Sequence, residues 1–176
     1  KSFPLVAITG FIIGLTLTLQ SIPTLDKFGA ASLVPSMVAL AVILEIGPVI
    51  TSLIFAGKIG SGIGAELGSM KVTEQIDSME VSGTNPFKYL VVTRIFAATL
   101  MLPILVILAD AIALFGGFLA INIFDYTSLK TYLVSAMANI TFSDIIPAVT
   151  KTFLFGMSIG VVGCYEGYNA SRGTES

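Results

Sequence analysis

Polar and apolar positions alternate along this chain on the scale of whole segments. Residues 3–19 carry no charge, 33–56 hold only Glu45, 89–123 hold Arg94 and Asp110, and 145–165 hold only Lys151. A bilayer hydrocarbon core of about 30 Å takes roughly 20 residues of helix. Each run is therefore predicted to cross a membrane, which makes the fold an all-α polytopic membrane protein with about four crossing segments. The third run is too long for a simple span and is interrupted by Pro103 and the pair Gly116-Gly117. It reads either as one long tilted, kinked helix or as a helix followed by a re-entrant piece. The first run lacks a basic leading region and a cleavage site, so it is not read as a removable signal. The chain opens on Lys1 and closes in the polar stretch NASRGTES, and is expected to be a piece of a longer protein.

The most polar part lies between the second and third runs, at 57–88. From Lys71 to Ser82, Val72, Ile76 and Met79 fall on one stripe while Glu74, Asp77 and Ser78 face elsewhere, the pattern of a short amphipathic helix. Gly83 can supply a left-handed terminal residue, and Asn85-Pro86 stops continuation into the next span. Such a helix suits mechanical contact with a cytoplasmic partner, or rest on lipid headgroups. If 57–88 is cytoplasmic, Lys1, Lys58, Lys71, Lys88 and Arg172 share that side against Lys27 and Lys130 on the other, a positive-inside bias. The segment 122–144 is then an outer, periplasmic one.

Composition narrows the class. Hydrophobic residues make up 55% and charged ones 11%, and mean hydropathy is +0.94, which leaves too few polar residues to cover a soluble globule. The cations are scattered, so no basic patch suits nucleic acid. One cysteine, Cys164, and no histidine remove disulfide frameworks, zinc sites and imidazole triads. No metal site and no enzymatic chemistry are expected. The string GSGIGA at 60–65 matches a dinucleotide fingerprint in letters alone, since a membrane span rather than a strand precedes it. No phosphate-binding loop of the G-x-x-x-x-G-K-[ST] type occurs, so any ATPase is a separate chain.

Two constellations remain. Gly60, Gly64 and Gly68 recur every four residues, as do Gly10 with Gly14 and Gly156 with Gly160. Bare backbone on one helix face permits close helix packing in lipid, within a subunit or between two. Glu45 and Lys151 each stand alone in an apolar span, where a charge at the helix centre costs about 2.5–3.5 kcal/mol. They are read either as the polar lining of a transport path or as an ion pair that sets helix register. Arg94 and Asp110 lie nearer to span ends or breaks and are expected to snorkel or reach a loop.

The stretch 45–94 is similar to the core signature of the MlaE-type permease family. It carries E-x-G-P at Glu45, Gly47 and Pro48, the A-G-K-x-G turn at Ala56, Gly57, Lys58 and Gly60, and AELG at 65–68. M-x-V-T-E-Q-I-D-x-M-E at 70–80, N-P at Asn85 and Pro86, and a final G-Y-x-A at 167–170 follow. The resemblance implies the membrane subunit of an ABC transporter that moves phospholipids or related lipids between membranes, in a bacterial inner membrane. It implies as partners a second copy of the chain, a cytoplasmic ABC ATPase that binds ATP and Mg, and an MCE-domain substrate-binding protein. It also implies a single permease domain over 1–176, without the family's leading amphipathic helix and last membrane helix. The segment 69–83 would hold the coupling helix, with Thr73, Glu74, Gln75, Ile76, Asp77, Ser78, Met79 and Glu80 docking in the ATPase. Glu45 and Lys151 would line the lipid cavity, with Leu25 and Phe28 near its outer mouth. Gly47, Pro48, Gly57, Gly60, Gly64 and Gly68 would serve helix packing. Leu44 stands where some members carry arginine. Two other classes compete: an ion-coupled carrier using Glu45, Asp110 and Lys151 as a proton relay, and a membrane anchor that transports nothing.

Overall fold

The computed structural model describes residues 2–124 and 126–170. Among these the regular elements are all helical: α1 (Phe3–Asp26), a 3-10 turn (Ala31–Leu33), α2 (Val34–Ala41), α3 (Gly47–Phe55), α4 (Ser61–Val72) and α5 (Gln75–Val81), then α6 (Thr93–Asn122), α7 (Leu129–Met137) and α8 (Phe142–Tyr168). Wider π-helical turns at Val42–Ile46, Ala56–Gly60 and Phe87–Val92 join α2 to α3, join α3 to α4, and open α6. Four helical runs are long and apolar enough to cross a membrane: Phe3–Asp26, Ala31–Val72, Phe87–Asn122 and Phe142–Tyr168. Lys1 and Arg172, two of the cations in the orientation argument, lie outside the described residues, as does Asp125.

Several expectations change. The second run does not stop at Ala56, because helix continues to Val72, and the A-G-K-x-G motif is a π-helical segment rather than a turn. The long run 89–123 is one helix from Phe87 to Asn122 with Pro103 inside it, which removes the re-entrant alternative. The predicted amphipathic helix is broken: α4 ends at Val72, Glu74 is left-handed at φ 59°, and α5 starts at Gln75. The Thr73 hydroxyl donates back to the Ser69 carbonyl at 2.8 Å, which competes with helix continuation.

The chain divides into two units. One comprises residues 1–51 and 104–151, the other 52–103 and 152–176. In the first, Val34, Val38, Val42 and Ala113 form a core with Leu17, Ile22 and Leu25, and Ala39, Leu114, Tyr132 and Ala136 form another with Phe118. Gly10 and Gly14 of α1 face the Ala109 and Ala113 backbone of α6, so the two helices approach where side chains are absent. In this unit Ser128 precedes α7 and its hydroxyl accepts from Thr131 N at 3.2 Å, and Asp144 in the first turn of α8 accepts from Thr141 N at 3.1 Å. Both are helix-capping bonds.

The second unit is built around α8. A side-chain carbon at Gly156 would meet the Ala98 carbonyl at 2.8 Å, and one at Gly160 the Ile95 Cα at 3.0 Å. On another face, a carbon at Gly163 would meet the Gly60 carbonyl at 2.8 Å and one at Gly167 the Gly64 carbonyl at 2.7 Å. Glycine thus brings both α6 and α4 against α8. Below them lies a core of Leu67, Ile76, Leu90, Val91 and Cys164, with Met70, Met79 and Tyr168 packed on it.

Candidate functional site

The E-x-G-P motif builds its site through the backbone. Pro48 has no N–H, so it cannot satisfy the Leu44 carbonyl four residues earlier as a helix would require. The π turn just before it routes the Gly47 N–H to the Val42 carbonyl instead. Lys151, from α8, fills the gap: its Nζ donates to the Leu44 carbonyl at 2.8 Å and to Glu45 Oε1 at 2.9 Å. The Glu45 side chain is 70% exposed and that of Lys151 34%, so the pair presents a charged face rather than a sealed one. Gly47 lies against the carboxyl of Asp110 on α6.

Asp110 overturns its expectation. It neither snorkels nor reaches a loop; it lies inside α6 and is buried. Arg94 is also drawn inward, with Nη2 2.8 Å from Glu66 Oε1 and its side chain only 19% exposed. The sequence signal for that pair was the glutamate of AELG, one membrane helix away from the arginine and so invisible to local periodicity.

Of the expected cavity residues, the structure brings Glu45 and Lys151 together. Leu25 packs on the Val34–Val38 core. Phe28 stands exposed in the turn after α1, beside Gly29 at φ 67°. Gly60 and Gly64 face α8, Gly68 lies 3.3 Å from the Ala170 Cβ measured from an added carbon, and Gly57 has open space around it.

The coupling segment has two sides. Ile76 is buried and Met79 packs on the same core, while Thr73, Glu74, Gln75, Asp77, Ser78 and Glu80 are exposed. Val72, expected on the apolar stripe, belongs to α4 and is exposed. Lys71 joins the two helices by an ion pair to Asp77 at 3.0 Å and lies 6.0 Å from the centre of the Tyr168 ring. Gly83 takes the left-handed φ of 78°, and the Asn85 side chain accepts from Lys88 N at 3.1 Å, opening the third span. Among the described residues no group of histidine, cysteine and carboxylates could hold a metal.

The sequence profile of the family described as Permease MlaE matches residues 1–176. A probable ABC transporter permease protein of Rickettsia typhi is 38% identical over 175 residues, covering 99% of this chain and 67% of that protein. One from Synechocystis is 33% identical over 176 residues, with 99% and 66% covered. The intermembrane phospholipid transport system permease protein MlaE of Haemophilus influenzae is 31% identical over 176 residues, with 99% and 67% covered. With a profile match along its whole length and, among the described residues, four helical runs long and apolar enough to cross a membrane, this chain belongs to the MlaE permease family, multi-pass inner-membrane proteins that serve ABC transporters as their non-catalytic permeases.

Proposed function

We propose that this permease moves phospholipid or a related lipid between membranes, driven by a separate cytoplasmic ATPase that binds ATP and Mg and docks on 73–80. The observation that carries the reading is the two-sided α5. Its polar residues are exposed, while Ile76 and Met79 are seated in the core with Leu67, Leu90, Val91 and Cys164. Force applied to the polar side is thereby passed to α4 and to the start of the third span, since packed interiors move as blocks rather than deform. Two copies enclose the lipid path, and an MCE-domain protein receives lipid on the far side. The exposed carboxylate of Glu45 has no place against hydrocarbon, which supports a polar route at the Glu45–Lys151 pair for a lipid head group.

The test is co-purification of the ATPase with the permease, followed by ATP-dependent lipid exchange in reconstituted vesicles. Replacing Gln75, Ser78 and Glu80 together by alanine is expected to release the ATPase while leaving the permease's melting temperature unchanged. Retention of the ATPase by that triple variant, at full transport, would overturn the docking assignment. Transport that persists without an ATPase but stops when the proton gradient is collapsed would instead favour an ion-coupled carrier.

A further inference from the structure

Asp110 has no part in the function proposed above, yet it is the most deeply buried charged residue among those described, at 8% exposure. No donor among the described residues reaches its Oδ1. The contact at Gly47 is specific: a side-chain carbon there would lie 2.7 Å from the Val42 carbonyl oxygen and closer still to Asp110 Oδ1. Two oxygens thus converge on the space that only glycine leaves open. The Val42 carbonyl already accepts the Gly47 N–H and retains a second lone pair. Two acceptors facing each other repel unless a hydrogen lies between them.

Among the described residues, no cation of the surrounding elements is paired with Asp110, and Lys27 stands beyond the far end of α1 as its C-cap. α1, packed on α6 through Gly10 and Gly14, has no charged residue before Asp26. From 34 to 51 the only charge is Glu45, and α6 from 104 to 122 has none besides Asp110. α7 carries Lys130, which is exposed. At the start of α8, Asp144 is bonded to Thr141 and Lys151 is engaged by Glu45 and the Leu44 carbonyl.

We infer that Asp110 is a proton-binding site: its carboxyl carries a proton and donates it in a hydrogen bond across Gly47 to the Val42 carbonyl, latching the π turn to α6. Loss of that proton to water leaves a carboxylate facing a carbonyl, and the latch opens. The inference rests on packing alone and is independent of the transport reading.

Infrared spectra of the full chain in lipid nanodiscs at neutral pH test it, with Asp110→Asn as the comparison. The amide of that variant supplies an N–H to the same carbonyl and does not titrate. The wild type should show a protonated-carboxyl band that Asp110→Asn lacks. The variant should keep the wild-type melting temperature while Asp110→Ala loses it. Where variants fail to fold, aspartate labelled with carbon-13 at its carboxyl reports on the wild type directly. Only ionised-carboxylate bands in the labelled protein would overturn the proposal. A melting temperature raised by sodium and insensitive to pH would overturn it too, pointing to a small cation between the oxygens.

Discussion

Alanine at Gly163 and alanine at Gly62 should move stability in different directions, although both replace a helical glycine by the same residue. At Gly62 nothing lies within 4 Å of the added carbon, whereas at Gly163 that carbon meets the Gly60 carbonyl oxygen at 2.8 Å and the Gly60 Cα at 3.4 Å. Each substitution gains about 1 kcal/mol from helix propensity, and this gain cancels in the difference between the two variants. What remains is the clash. Its partner is backbone at the end of the π turn that leads into α4, which cannot rotate away, so the helices must part, and overpacking of this kind costs about 1–3 kcal/mol. For a protein of this size a gap of about 2 kcal/mol corresponds to roughly 4–8 °C in melting temperature. Thermal unfolding of both variants in one detergent, with the wild type between or near them, reads this gap directly. Equal melting temperatures for the two variants would refute the claim that glycine is required where α4 meets α8.

Lys151→Met should destabilise more than Glu45→Gln, by about 1–3 kcal/mol, because it orphans the Leu44 carbonyl that Pro48 cannot satisfy, whereas Glu45 is 70% exposed; denaturant unfolding of both variants measures the difference. Tyr132 in α7, outside the spans, has a buried hydroxyl that meets no hydrogen-bond partner among the described residues, and burial pushes its ionisation up from 10.0 to about 12. Between pH 10 and about 12 the unfolded chain gives up this proton while the folded one keeps it, so the wild type should lose stability relative to Tyr132→Phe over that window and not below it; melting curves of the two proteins against pH check the sign.

How legible was this protein from its residues? The existence of four spans followed from run lengths of apolar residues, because lipid demands internally bonded helix wherever the chain crosses. The separation of an apolar from a polar side in α5 was also readable, through Ile76 and Met79. Its start was not. Periodicity carried a helix smoothly through Thr73 and Glu74, and the break there serves to turn Ile76 onto Leu67, Leu90, Val91 and Cys164, a demand made by residues up to 88 positions away along the chain. Arg94 and Asp110 were misplaced for a related reason: nearness to a proline or a span end suggests escape to water, but their surroundings come from other helices.

Hydropathy and spacing along the chain thus determine that these helices form, that they cross a membrane, and where glycine strips them bare. Which bare faces meet is a matter of tertiary structure, since Gly60 and Gly163 are 103 residues apart yet in contact. The same holds for the lysine at the E-x-G-P turn. Local sequence announces a missing N–H at Pro48 and a lone charge at Lys151, but only packing of α8 beside that turn brings the one to the other, because an unsatisfied carbonyl attracts whichever donor the fold delivers within about 3 Å.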